Sequence, residues 1–120
     1  MSEKYIYFHN PKCSKSRQGL ELLERNGITP QVKEYLKEGI TKDEVLEIIG
    51  ALGIAPLNGL IRTKEATFIE LGLEVKNALS SDQWAEILSE NLSLLERPIL
   101  LSGKQAVIGR PIENLLKLIK

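Results

Sequence analysis

The opening of the chain reads as a strand, a proline-bearing turn and a helix, and this run constrains the fold more than any other stretch. Tyr5-Ile6-Tyr7-Phe8 is aromatic and β-branched, the composition of a buried strand. His9-Asn10-Pro11-Lys12-Cys13-Ser14-Lys15-Ser16-Arg17 follows it, and Ser16, Gly19, Leu20 and Leu23 then recur at helical spacing until Asn26-Gly27 supplies a stop. The spacing predicts a helix that starts just after Cys13 and ends near Asn26. Residues 31–36, Gln-Val-Lys-Glu-Tyr-Leu, read as a second strand. A strand, helix and strand joined by short links cross over right-handed and pair their strands in parallel.

The rest of the chain supplies further elements. Thr41 and Glu44 have the spacing of a capping box, and Val45, Leu46, Ile48, Ile49 and Leu52 behind them form an apolar stripe that Gly53 closes. Short helices are expected around 57–60 and 65–71. Ser80-Ser81-Asp82-Gln83 is another helix start, with Trp84, Ile87 and Leu88 on one face. Residues 98–101 and 105–108 have strand character and flank Ser102-Gly103-Lys104, which suits an antiparallel hairpin. Pro111 opens a last helix whose Ile112, Leu115, Leu116 and Ile119 share a face. The order β-α-β, helices, β-β-α is that of an α/β thioredoxin-like fold: a four-stranded mixed sheet with flanking helices and a helical insertion over approximately 37–96. The first strand would deliver Cys13 to one edge of that sheet. A chain of 120 residues with 42% hydrophobic content can bury one core, and a single domain over 1–120 is expected.

Charge and cysteine content narrow the chemistry. Sixteen basic residues balance sixteen acidic ones, so there is no global pull toward nucleic acid or an anionic membrane, and an anion site has to be local. No apolar run approaches the ~20 residues of a membrane span, and Met1-Ser2-Glu3-Lys4 lacks the apolar region of a signal peptide; a cytoplasmic protein is expected. Cys13 is the sole cysteine and His9 the sole histidine, which rules out an intramolecular disulfide and falls short of a structural zinc set; no metal is expected.

Cys13 is the candidate nucleophile. A thiolate is the reactive form, and a helix N-terminus with neighbouring cations lowers the ordinary pKa of ~8.5. Lys12, Lys15 and Arg17 are close in sequence, and His9 is placed to stabilise the thiolate as imidazolium or to orient it. The alternative is an inert, buried cysteine. Ser16 stands where a dithiol motif has its second cysteine, so any redox intermediate on Cys13 needs an external thiol for release. Asn10 can bind backbone groups of the loop, and Ser14 or Ser16 can cap the helix or bond the sulfur. Arg97 and Arg110 each precede a proline, which favours extended backbone, and Arg62 follows Leu60-Ile61. Guanidinium groups grip tetrahedral oxyanions bidentately, although any one arginine taken alone is more often a solvated surface charge.

The pattern His-Asn-Pro-x-Cys-x-x-Ser-Arg at 9–17, Leu-Ile-Arg at 60–62, Arg-Pro-Ile at 97–99 and Ile-Gly-Arg-Pro at 108–111 resembles the glutaredoxin-coupled arsenate reductase (ArsC-like) family across nearly the whole chain. The resemblance implies that Cys13 is the nucleophile and His9 its helper. It implies that Arg62, Arg97 and Arg110 bind arsenate or a similar oxyanion, with Asn10, Ser16 and Arg17 in the same site. Pro98 is the candidate cis-proline. Glutathione would be the co-substrate with no bound cofactor, glutaredoxin the protein partner, and the chain a monomer. Lys15 adds a cation beside the sulfur. A phosphatase-type loop needs Cys-x5-Arg, and Gly19 holds the arginine's place. The remaining alternatives are an Spx-like regulator that binds RNA polymerase, usually with a Cys-x-x-Cys switch that Ser16 removes, and a glutathione-dependent thiol reductase acting on another substrate.

Overall fold

The computed structural model describes residues 5–53, 59–74 and 79–119. In chain order they form β1 (Tyr5–Phe8), α1 (Ser14–Arg25), β2 (Gln31–Lys33), α2 (Tyr35–Glu38), α3 (Lys42–Leu52), α4 (Ala66–Glu70), α5 (Ser81–Glu90), β3 (Ile99–Ser102) and β4 (Gln105–Ile108). A 3₁₀ turn at Leu92–Leu94 precedes β3, and a 3₁₀ helix, Ile112–Leu118, follows β4. The sheet order is β2-β1-β3-β4, with β1 parallel to β2 and antiparallel to β3, and β3 antiparallel to β4. This is a mixed four-stranded sheet of thioredoxin-like α/β type. Because β1 is an interior strand, the loop that carries Cys13 leaves the middle of the sheet's end and not a lateral edge.

Alternation along the strands sorts the core into two layers. Phe8, Ile99 and Leu101 face a cluster with Val45, Ile48 and Ile49 of α3 and Trp84, Ala85 and Leu88 of α5. Tyr7 and Leu100 face the other way, onto Leu23 of α1 and Leu115 of the 3₁₀ helix. Both expected caps are present. Thr41 accepts from the Glu44 N–H (3.1 Å) and Ser80 from that of Gln83 (3.1 Å), each with the reciprocal side-chain bond that closes the box. Gly53 ends α3 in the left-handed region at φ 68°, which a glycine enters without steric cost.

Three details differ from the reading of the sequence. β2 stops at Lys33 because β1 offers no partner beyond Phe8: the last rung is His9 N–H to Lys33 C=O (2.9 Å), after which the Glu34 N–H turns to the Glu38 carboxylate (2.9 Å) and α2 begins. Tyr35 is therefore buried on a helix, while Leu36 is 47% exposed. The last helix is 3₁₀, so its three-residue repeat lines up Ile112, Leu115 and Leu118 in place of an α-helical stripe. Leu115 is fully buried, because it fills a notch between Gly19 and Gly109. Of the expected short helices, α4 lies within 65–71; Leu57 and Asn58 lie outside the described residues, and Gly59 and Leu60 form a turn.

That notch also seats Pro98, which follows one of two cis peptide bonds, Arg97–Pro98 and Arg110–Pro111. A Cβ at Gly19 would stand 2.9 Å from Leu115 Cδ1 and 3.3 Å from Pro98 Cγ, and one at Gly109 would stand 2.8 Å from Pro98 Cγ. The absence of a side chain at both positions lets α1 and the end of β4 close onto the Arg97-Pro98 segment. The helix that begins at Cys13 is thereby packed against the chain that carries Arg97.

Candidate active site

Cys13 is the N-cap of α1, with extended backbone (φ −94°, ψ 122°) and intermediate exposure. Its sulfur lies at the first turn, where the N–H groups of Ser16 and Lys15 favour the thiolate. Burial pushes the thiol up, but the Ser16 N–H, the Arg97 charge and the Lys15 N–H together outweigh burial. The net pKa is below the ordinary cysteine value.

The loop in front of the helix is held by its own groups. The Asn10 C=O accepts from the Cys13 N–H (2.9 Å), and the Asn10 carboxamide oxygen accepts from the Lys12 N–H (3.1 Å). Arg17 reaches back from α1 and donates to the Pro11 C=O (2.8 Å), so it clamps the loop from outside. Ser16 is fully buried at the hub. Its hydroxyl accepts from the Asn10 N–H (3.0 Å) and bonds His9 Nδ1 (2.8 Å), and its C=O accepts from the Tyr7 hydroxyl (2.6 Å).

His9 thus meets Ser16, not the sulfur. Burial holds its pKa below the ordinary histidine value, with Glu34 opposing and Arg17 adding to that shift. Of the two roles read for His9, the lowered pKa disfavours the imidazolium, and the hydrogen bond that its Nδ1 makes goes to Ser16.

The opposite wall comes from the other end of the sequence. Arg110 NH2 lies 3.7 Å from Cys13 Sγ, and Arg110 Nε donates to the Arg97 C=O (2.8 Å) and pairs with Glu96 Oε1 (3.1 Å). The same Glu96 oxygen accepts from the Arg97 N–H (3.1 Å). Arg97 Nε and NH1 are buried and have no hydrogen-bond partner. Buried guanidinium nitrogens left without an acceptor are costly, and a bound water or ligand is what completes such bonding.

Arg62 arrives by a third route. Ile61 and Leu95 form an antiparallel bridge, with Arg62 N–H to Leu94 C=O and Glu96 N–H to Leu60 C=O (2.7 Å each), which stitches 60–62 to the segment leading into Arg97. The Arg62 guanidinium donates to the Ser93 C=O (3.2 Å) and pairs with Glu65 (3.3 Å). It lines a cavity together with Arg110 and Glu96.

The structure therefore brings Arg97 and Arg110 to Cys13, sets Arg62 across a cavity shared with Arg110, and uses Asn10, Ser16 and Arg17 to build the loop. Two residues escaped the sequence reading. Glu96 is visible only as an acid directly before an arginine. Tyr35, read from the sequence as part of a strand, is buried, and burial pushes its hydroxyl up to about 12 against the fields of Arg97 and Arg62. Among the described residues no cluster of three or more His, Cys, Asp or Glu is arranged to hold a metal, and no helix is long and apolar enough to cross a membrane.

Comparison with known proteins agrees with this arrangement. The sequence profile of the ArsC family matches residues 8–118. An arsenate reductase of Neisseria meningitidis is 43% identical over 108 residues, 90% of this chain and 92% of that protein. One from Haemophilus influenzae is 40% identical over 95% of this chain and 97% of its own length. The solved structure of an arsenate reductase from Vibrio cholerae superposes with a TM-score of 0.89 at 38% identity, covering 99% of this chain and 100% of that one.

Proposed function

The chain belongs to the ArsC family, and on that premise we propose that it is a glutathione- and glutaredoxin-dependent arsenate reductase with Cys13 as its nucleophile. The observation that carries the reading is the unpartnered Nε and NH1 of Arg97 beside a sulfur whose ionised form is favoured. A tetrahedral oxyanion would supply an acceptor to this guanidinium, and Arg110 NH2 and the N–H groups at the start of α1 supply further positive potential. Arg62 is assigned to the rim of the same pocket.

The chemistry closes in three steps. The Cys13 thiolate attacks arsenic, an As–O bond breaks, and the oxygen leaves as water after protonation; arsenic stays pentavalent in the S–As adduct. Glutathione thiolate then attacks the Cys13 sulfur. The S–As bonding pair leaves with arsenic, which becomes trivalent, and the two sulfurs join in a mixed disulfide. A glutaredoxin thiolate takes over the glutathione sulfur and returns the Cys13 thiolate. Arsenate and two thiols have become arsenite, a disulfide and water. The guanidinium groups offset the repulsion between thiolate and oxyanion in the first step, and the α1 N–H groups stabilise the departing thiolate in the last.

His9 and the Ser16 hydroxyl tie the loop to α1 in this scheme, and the sulfur is favoured by backbone N–H groups that neither side chain supplies. A cytoplasmic setting suits the reading, since that compartment keeps thiols reduced. The test is arsenate-dependent NADPH oxidation in the presence of glutathione, glutaredoxin and glutathione reductase. Wild-type protein is expected to turn over and Cys13→Ser to show none; a silent wild type overturns the assignment.

A further inference from the structure

The proposed oxyanion pocket accounts for one substrate, yet the reduction needs a second molecule, a thiol, at the same sulfur. A cavity of about 350 Å³ opens beside the pocket, between the segment 61–65 and the Glu96–Arg110 ion pair. It shares Arg110, whose NH2 is 3.7 Å from Cys13 Sγ. Its volume falls in the range of small-molecule sites.

The lining is charged in both senses. Arg62 and Arg110 are balanced by Glu65 (3.3 Å) and Glu96 (3.1 Å). Lys64, also on the wall, makes no ion pair among the described residues. A wall of paired charges with one cation left over suits a zwitterion with net negative charge, rich in amide donors and acceptors. A bare inorganic anion would have to compete with Glu65 and Glu96, and an apolar ligand finds little apolar wall. Resting on the reductase reading, we propose that this cavity docks the low-molecular-weight thiol, an anionic peptide thiol of the glutathione class. Lys64 anchors one of its carboxylates, Glu65 and Glu96 accept from its ammonium or amide N–H groups, and its sulfur is directed past Arg110 to Cys13.

Two measurements test this separately from the reductase reading. The first is binding of S-methylglutathione, which cannot reduce anything, followed by amide NMR shifts on the wild type and on Lys64→Glu. Shifts centred on 62–65 and 96, with affinity reduced about fivefold or more by the charge reversal, support the site. Shifts centred on another surface, no binding at millimolar ligand, or equal affinity for both proteins overturn it. The second is the coupled assay. Lys64→Glu is expected to raise the KM for glutathione about fivefold, with little effect on arsenite formation, measured directly, when cysteamine, a thiol without a carboxylate, replaces glutathione. An equal loss with both thiols counts against the site. If Lys64-dependent S-methylglutathione binding occurs without arsenate turnover, the reductase assignment fails and the thiol site stands.

Discussion

The two walls around Cys13 are built in opposite ways. On the loop side, 9–17, the buried polar groups of Ser16 and His9 bond within the protein, and Tyr7, Asn10 and Arg17 complete a closed network. On the arginine side, Nε and NH1 of Arg97 are buried and unpartnered, and Arg110 is steered by a carboxylate that holds only one edge of it. The first wall stabilises the fold by itself. The second is held by the fold and leaves donors free for the proposed oxyanion. Changes to the loop wall should therefore register mainly as stability, and changes to the arginine wall mainly as binding.

The largest expected effect is on the arginine side. Arg97→Lys keeps the charge and loses the fork, so kcat/KM for arsenate should fall ~10–100-fold, in line with the ~1.5–3 kcal/mol of a charge-assisted hydrogen bond, with the thermal midpoint close to wild type. Thermal collapse of this variant would erase the contrast. Next is Ser16→Ala, which strands His9 Nδ1 and the Asn10 N–H and should cost ~1–3 kcal/mol in urea unfolding. Because the backbone N–H at position 16 remains, the pH at which Cys13 becomes reactive should hardly move; a shift as large as that from losing Arg97 would mean the hydroxyl acts on the sulfur.

A smaller effect concerns the thiol itself. Iodoacetamide alkylation of Cys13 should reach half its maximal rate below the ordinary ~8.5, and Arg97→Ala should move that point up. Since the folded value is depressed, the stabilisation linked to this group is present above the unfolded pKa and is lost as pH falls through the folded one. Half-maximal alkylation at an ordinary pH would remove the electrostatic case for the arginine wall. The smallest effect is expected at His9. Its folded pKa is also lowered, so the unfolded chain takes up the proton first, and stability should decline as pH drops from about 6.5 toward the folded value. His9→Gln should flatten that decline in pH-dependent urea melts.

The same division governs what could be read from the sequence. Tyr5–Phe8, the helix after Cys13, the caps at Thr41 and Ser80 and the hairpin around Gly103 are local signals, and each forms where its own residues dictate. The early end of β2 is not local, since it depends on where β1 runs out of partners. Nor is the 3₁₀ geometry of Ile112–Leu118, which follows from the notch that Leu115 fills. In the site, Cys13 at a helix start was legible from spacing. The convergence of Arg97 and Arg110 on it, 84 and 97 residues away (97 − 13 and 110 − 13), is a product of the β1–β3–β4 pairing, and periodicity carries no trace of it. Glu96 escaped notice for the same reason: its meaning lies in Arg110, across the hairpin.

Gly19 and Gly109 leave room for Leu115 and Pro98 and, at Gly19, for the Tyr7 hydroxyl. The approach of α1 and the end of β4 to the Arg97-Pro98 segment is accordingly set by the main chain, and the gap between sulfur and guanidinium by that approach together with the Glu96 carboxylate that holds Arg110. Evolution or engineering can swap the charges around that gap and so change which anion is welcome. The gauge itself would have to be reset by remodelling the joint, which is why relatives with new substrates should differ at the walls and keep these two positions bare.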